Sequence, residues 1–342
     1  MRLRITGAIL FGLGVLALVV AAGLAFVVAP RASQLPYDLE NQSVAEAPGA
    51  TFLQIKDSVA TIEQGITLRS TVNVQTDAAE TAKLEGPLDG TAAVWLVGQE
   101  VVRTDTGELI SAYSTSLALD RKTGAAADWA NQWLDTGNAR EQVGYSGQIY
   151  KFPFGTEKKT YEIFDRDILA TAPANFVKTE EIEGLETYQF VQEIPETRQE
   201  MAADKLDLLR TQLLPGATSA EIIYSNTRTV WVEPATGQYI KVQEDQTKRL
   251  VGDNGQEAVL LDALFTYTDD TIVKSADSAE ANRSKLQLVK VWGPLGLLVV
   301  GLLLVVIGLI LAMRASGSAP ANEDPATRRG RRRADEDATV AG

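Results

Sequence analysis

The densest run of chemically capable side chains lies mid-chain, where Phe152, Phe154, Lys158, Lys159 and Tyr161 fall within ten residues. Two ammonium groups can meet a lipid headgroup or a phosphate as point charges, and three aromatic rings can supply an apolar body beside them. These five residues are the candidate ligand-binding set. The segment Gly155 to Lys159 shares only its opening glycine with a phosphate loop, because the second glycine before the lysine is missing. A structural role competes with the binding one. In it Phe152, Phe154, Tyr161 and Phe164 pin a crossing loop into a core, while the lysines are solvated or paired to Glu157 and Asp165.

Bond-making chemistry has little to work with. The chain has no histidine and no cysteine, which removes imidazole bases, Cys/His metal sites and the usual nucleophile–base pairs. An enzyme built from carboxylates alone needs two acids about 5–10 Å apart across a cleft. Asp120, Asp165, Asp167, Glu181 and Asp262 are candidates, yet no spacing singles out a pair. Asp253-Asn254-Gly255 fits a hairpin turn and lacks the spaced ligands and closing glutamate of a calcium loop. We therefore assign no catalytic residue, no metal and no cofactor, and read the chain as a non-enzyme. The net charge of −13 argues against a nucleic-acid partner.

The elements that would position these groups are mostly strands. Ile66–Val74, Ala92–Val97, Leu109–Leu119, Ile222–Val232, Tyr239–Val242 and Val259–Thr268 carry alternating or continuous apolar patterns. Turn signals recur as Asp105-Thr106-Gly107, Asp120 to Gly124, Glu233 to Gly237 and Asp253-Asn254-Gly255. The fold class is mainly β (α+β): antiparallel, meander-like sheet or sheets with one or two helices, flanked by two transmembrane α-helices. Ala126–Leu134 reads as a short helix with Trp129 and Trp133 on one face. Arg198–Leu214 reads as the best helix, stopped by Pro215.

Two uncharged apolar segments bracket the β region. The first, Ile5–Ala29, is longer than the ~20 residues a bilayer core requires and longer than a signal-peptide core. The second runs from Val291 to Met313. Arg2 and Arg4 precede the first, while Arg314 and the cluster Arg328 to Arg333 follow the second. By the positive-inside rule both chain ends are then cytoplasmic. The expected order is a cytoplasmic N-terminus (1–4), helix (5–29), linker (30–50), extracytoplasmic β-rich domain (51–285), helix (291–313) and a disordered cytoplasmic tail (314–342). Ala17, Ala21, Ala25 and Ala29 form a small-residue stripe matched by Gly301, Gly308 and Ala312, so the spans should pack on each other or on a copy of the chain. Neither span has a charged residue in its middle, so a two-helix channel is not expected.

The run Phe152 to Tyr161, followed by Phe164-Asp165, resembles a motif of the actinobacterial DUF3068 family, also labelled the porin PorA family. Leu119 to Gly124 and Gly184 to Phe190 resemble two further segments of that family. The plan of helix, outer domain, helix and basic tail is also similar, so the resemblance spans nearly the whole chain. Phe164 stands where the family usually shows tryptophan, a conservative change for packing. The resemblance implies an actinobacterial envelope protein and carries no catalytic residues. The expectation drawn from all this is a two-pass plasma-membrane protein whose outer domain binds a ligand, a lipid or an envelope polymer. The plan is CD36-like in topology only. A scaffold protein is the alternative, and a carboxylate hydrolase or a pore-former ranks behind both. Expected partners are membrane lipids, that ligand, and a second copy of the chain through the helices.

Overall fold

The computed structural model describes residues 2–137 and 139–316; the tail expected at 314–342 lies outside them beyond Ser316. The chain divides into two compact units. Of the described residues, one unit comprises those up to Ala29 and from Gln287 to Ser316, and the other comprises Pro30–Leu286.

The first unit is a helix pair. Helix α1 (Arg2–Gly23) continues through a π-turn (Leu24–Val28) into the short α2 (Ala29–Ala32). Helix α6 (Gly293–Ser316) is likewise preceded by a π-turn (Leu288–Trp292). Each π-turn ends two residues before a proline, Pro30 or Pro294. Proline lacks an N–H and its ring crowds the carbonyl four residues back; the widened turn absorbs both defects. Both helices contain stretches long and apolar enough to cross a bilayer. They run antiparallel with a glycine seam. A Cβ on Gly7 would lie 2.9 Å from the Gly308 carbonyl oxygen, and one on Gly14 would lie 2.7 Å from that of Gly301. Gly7, Gly14 and Ala21 recur every seventh residue and are all buried, the repeat of two helices that stay in register. The expected alanine stripe is only partly the seam. Ala21 and Ala29 are buried, Ala17 and Ala25 half-exposed, and the closest contacts belong to glycines.

The second unit is built on one 12-stranded sheet in which every ladder is antiparallel. The strands are β1 (Glu40–Lys56), β2 (Val59–Thr76), β3 (Ala92–Arg103), β4 (Leu109–Asp120), β5 (Trp133–Asp135), β6 (Glu141–Gln142), β7 (Tyr161–Asp165), β8 (Ala170–Ile182), β9 (Leu185–Gln199), β10 (Ala220–Glu233), β11 (Gln238–Gly252) and β12 (Glu257–Tyr267). Their order is β6-β5-β4-β3-β2-β1-β12-β11-β10-β9-β8-β7, a meander whose first and last long strands meet. The isolated bridges Leu119↔Ala126, Ala125↔Gln148 and Gln148↔Ile163 then link β4 to β7 through two intervening segments, so the curled sheet is laced into a ring there. Helices α3 (Ala78–Thr81), α4 (Ala203–Leu213) and α5 (Asp269–Gln287) complete the unit. Ile272, Ala276 and Ala279 of α5 pack with Leu185 and Ile240.

The strand and turn expectations hold; three local ones do not. Residues 40–50 of the expected linker form the start of β1, paired with β2 from Glu40↔Gln75 onward. The Trp129/Trp133 helix is absent: Trp133 pairs with Ser116 in β5, and Trp129 is buried among Leu84, Val94 and Ala118. Burial of the Trp129 indole and strand pairing at Trp133 outweigh the weak helical preference of a nine-residue window. Helix α4 begins at Ala203 because Arg198 and Gln199 still pair with Ile223 and Ile222 in the sheet.

Candidate functional site

Strand alternation explains an unusual interior. Along one face of β10 the residues run Ile222, Tyr224, Asn226, Arg228, Val230, and their partners on β11 are Leu250, Lys248, Gln246, Glu244, Val242. Three polar rungs are thus held between apolar ones. The β7–β8 turn, Asp165-Arg166-Asp167, lies against them. Asp165 Oδ2 accepts from Arg228 Nη2 at 3.0 Å and from the Tyr224 hydroxyl at 3.2 Å. Arg228 also donates to Glu244 Oε1 at 2.6 Å and to Gln192 Oε1 at 2.8 Å. Asp167 Oδ1 accepts from Lys248 Nζ at 2.6 Å and Gln199 Nε2 at 2.9 Å. Arg166 turns the other way: its guanidinium lies 4.0 Å from the Tyr113 ring centroid on β4 and 3.5 Å from Gln99 Oε1 on β3. One three-residue turn therefore touches β3 and β4 with one side chain and β9, β10 and β11 with its neighbours, which places it inside the curled sheet.

This belt carries three cations (Arg166, Arg228, Lys248) and three carboxylates (Asp165, Asp167, Glu244). Burial opposes the charge on Asp167, but Lys248 and Arg166 outweigh it and hold the carboxyl well below its usual range. Burial also opposes the charge on Arg228, and Glu244 and Asp165 reverse that and raise it. Burial followed by the two aspartates pushes the Tyr224 phenol far up, so it stays a donor. Asn226, 2% exposed, has no partner on either its amide oxygen or its amide nitrogen. Such groups in a polar interior are water-binding positions.

Apolar clusters close the belt on both sides. Next to Tyr224 and Lys248, the rung Ile222/Leu250 packs with Leu209 and Leu214 of the α4 segment. Next to Arg228 and Glu244, the rung Val230/Val242 packs with Phe152, Phe190, Tyr161 and Tyr239.

The five residues singled out by sequence lie in or around the second seal. Phe152 is fully buried, with ring centroids 4.8 Å from both Phe190 and Tyr161. The Tyr161 hydroxyl accepts from the Glu157 amide at 2.9 Å. Phe154 sits half-buried 3.8 Å from Lys151 Nζ. Lys158 is exposed beside the Tyr188 ring, and Lys159 is exposed and paired with Glu157 at 2.6 Å. Asp165, offered as a partner for these lysines, pairs with Arg228 instead. Two surface grooves among the described residues lie elsewhere, one around Arg103 and Glu108 and the other around Trp133 and Arg140. Lys151 is buried; its ammonium donates to the Phe152 carbonyl at 2.9 Å and to that of Thr236, and burial lowers it to about 7 against the pull of Glu233.

The belt itself escaped the sequence reading, apart from Asp165 and Asp167 as loose acid candidates. Its signal was present. A strand face reading Ile-Tyr-Asn-Arg-Val at alternate positions puts an amide and a guanidinium where a core strand needs apolar groups.

Taken together, the two units define a helix-flanked antiparallel β protein with a charged interior. The family model for porin PorA matches residues 6–310. A porin PorA of Corynebacterium resistens is 22% identical over 400 aligned positions, covering 91% of this chain and 97% of the relative. One of Corynebacterium amycolatum is 24% identical over 296 positions, covering 71% and 77%. The chain belongs to the porin PorA family.

Those relatives overturn three expectations. They are named as porins, so the ligand-binding envelope reading and its lipid-binding role are set aside, and pore formation was ranked too low. Phe152 and Tyr161 of the five candidate residues pack within the aromatic cluster. The two-pass plasma-membrane placement is set aside on the same finding. It rested on two apolar helices, whose length matches a hydrocarbon thickness and does not specify which membrane.

Proposed function

We propose that the chain is a pore-forming protein in which the charged belt of the β unit carries water and ions and the helix pair inserts into a bilayer. The observation that carries this reading is the belt: three ion-paired cations and an unpartnered Asn226 inside a curled antiparallel sheet. A wet, charged interior is what distinguishes a conducting β protein from one filled by an apolar core. The family name of the relatives supports the same reading.

The helix pair is not the passage within one copy. Gly7, Gly14, Gly301 and Gly308 bring the two backbones into contact, and large apolar side chains such as Leu16, Val19, Phe26, Leu303 and Met313 point outward. A path across the bilayer then runs among the helix pairs of several copies, with lipid covering the remaining faces. The proposed function needs no bond-making chemistry; of the acid candidates, Asp165 and Asp167 are ion-paired with Arg228 and Lys248. Its acidic charge leaves nucleic acid without a role.

The test is reconstitution of the full chain in planar bilayers. Discrete, protein-dependent conductance steps are expected, with cross-linked oligomers in the same membranes. Silent bilayers across a wide range of protein-to-lipid ratios would refute the reading.

A further inference from the structure

We infer that α4 is a movable stopper over one side of the belt, latched by Gln212. Its role as a gate rests on the pore-forming reading; its movement does not.

The argument starts from what holds this 11-residue helix down. Leu209 is its one buried residue, and together with Leu214 it covers Ile222 and Leu250. Those are the inward positions immediately beyond Tyr224 and Lys248, so lifting α4 uncovers the belt from that side. Beyond these aliphatic contacts a single side chain ties the helix to the sheet across its length. Gln212 donates from Nε2 to the Ser58 carbonyl at 2.8 Å and accepts at Oε1 from the Ala60 amide at 2.8 Å. This amide-to-amide clasp grips the β1–β2 turn, where Asp57 and Ser58 both have positive φ.

The two ends of the segment differ in the way a hinged part requires. At the N-terminal end, Ala202 provides no side-chain cap, which leaves the first amides weakly held. At the C-terminal end the segment is anchored. Asp253 Oδ1 accepts from the Thr218 amide at 2.9 Å, Asp253 Oδ2 takes the Thr218 hydroxyl, and the Asp253 amide donates to Ser219 at 3.1 Å. Arg210 donates to the Ala217 carbonyl and to Asp207, so the helix and the turn up to Ala217 move as one body. Gly216, at φ +89°, and Pro215 lie in that turn. Releasing Gln212 lets that body swing about residues 217–219.

The absence of native cysteine makes the test clean. Leu250→Cys and Val230→Cys place single thiols on the two sides of the belt, each at a position that is now fully buried. The solubilised full chain is treated with a small neutral maleimide. Local opening should make Leu250→Cys react at least about tenfold faster than Val230→Cys. Adding Gln212→Ala should speed the first again and leave the second unchanged. Hydrogen exchange on the unsubstituted chain guards against damage from the cysteines: the Ala60 amide and those of α4 should exchange faster than Val230. Equal, slow labelling at both sites with no response to Gln212→Ala, or strand-like protection of α4, overturns the stopper. Bilayer recordings separate the two ideas. Fast labelling with silent bilayers leaves the stopper standing and removes the pore. A conducting chain in which Gln212→Ala changes neither labelling nor open time removes the stopper and keeps the pore.

Discussion

The belt is closed by two seals of different make. On the Arg228 side, aromatic rings interlock: Phe152 contacts Phe190, Tyr161 and Tyr239 at centroid distances of 4.8–5.8 Å. The loop that delivers Phe152 is also stitched to the β10–β11 turn by backbone bonds, from Phe152 to Gly237, from Gly155 to Ala235 and from Thr156 to Pro234. Gly237 is required there, since a Cβ would overlap the Phe152 carbonyl. On the Tyr224 side the closure is an aliphatic contact from α4 and one glutamine clasp. Interlocked tilted and edge-on rings plus backbone bonds resist opening as a unit, whereas a helix resting on leucines can leave without breaking a ladder. The difference ranks the two seals: the α4 side should open readily and the Phe152 side far less often.

Substitutions can break or sharpen that contrast. The largest effect is expected from Phe152→Ala, which should cost about 3–5 kcal/mol by leaving a cavity in the rigid seal; thermal or urea unfolding measures it, and a loss similar to that of a surface change would mean this wall is not structural. Arg228→Met strands Asp165 and Glu244 inside and should cost about 3 kcal/mol, again read by unfolding. Leu209→Ala should cost about 2–3 kcal/mol while speeding labelling at Leu250→Cys, a pairing that Phe152→Ala should not show. Acid gives a fourth handle. The Asp167 carboxyl is held below its ordinary value in the folded chain, so its stabilising share is complete above the unfolded value of about 4 and lost as pH falls below it. Unfolding measured from neutral to acid pH should steepen there, and Asp167→Asn should flatten that slope. The smallest effect is expected from Gln212→Ala, about 1 kcal/mol, with its main consequence in opening.

Much of this contrast was readable before the fold was known, though unevenly. The rigid seal announced itself, since Phe152 and Tyr161 belong to a dense aromatic run whose structural reading, a loop pinned into a core, is what the fold shows; what could not be read was that Phe190 and Tyr239, from distant strands, complete the cluster. The helix of the other seal was also visible, in the span Arg198–Leu214 stopped by Pro215. Its latch was not, because Gln212 reaches a turn that is 152 residues away at Ala60. The belt was hidden for a similar reason. Asp165, Arg228 and Glu244 come from three strands, and a charge on a strand reads as outward-facing until the curl of the sheet is known. The helix seam was half-legible. Small residues were correctly sought, but a four-residue alanine stripe was favoured over the seven-residue repeat Gly7, Gly14, Ala21 that antiparallel packing selected.

The most direct test of the central claim uses Asn226→Cys in the otherwise cysteine-free chain. Currents through reconstituted chains would be recorded before and after a charged methanethiosulfonate reagent, with mass spectrometry confirming modification. If the belt is the passage, each modified copy loses a step of conductance and a reducing agent restores it. Full modification with unchanged current would contradict the account and take the belt out of the passage, leaving the spaces among the helices alone.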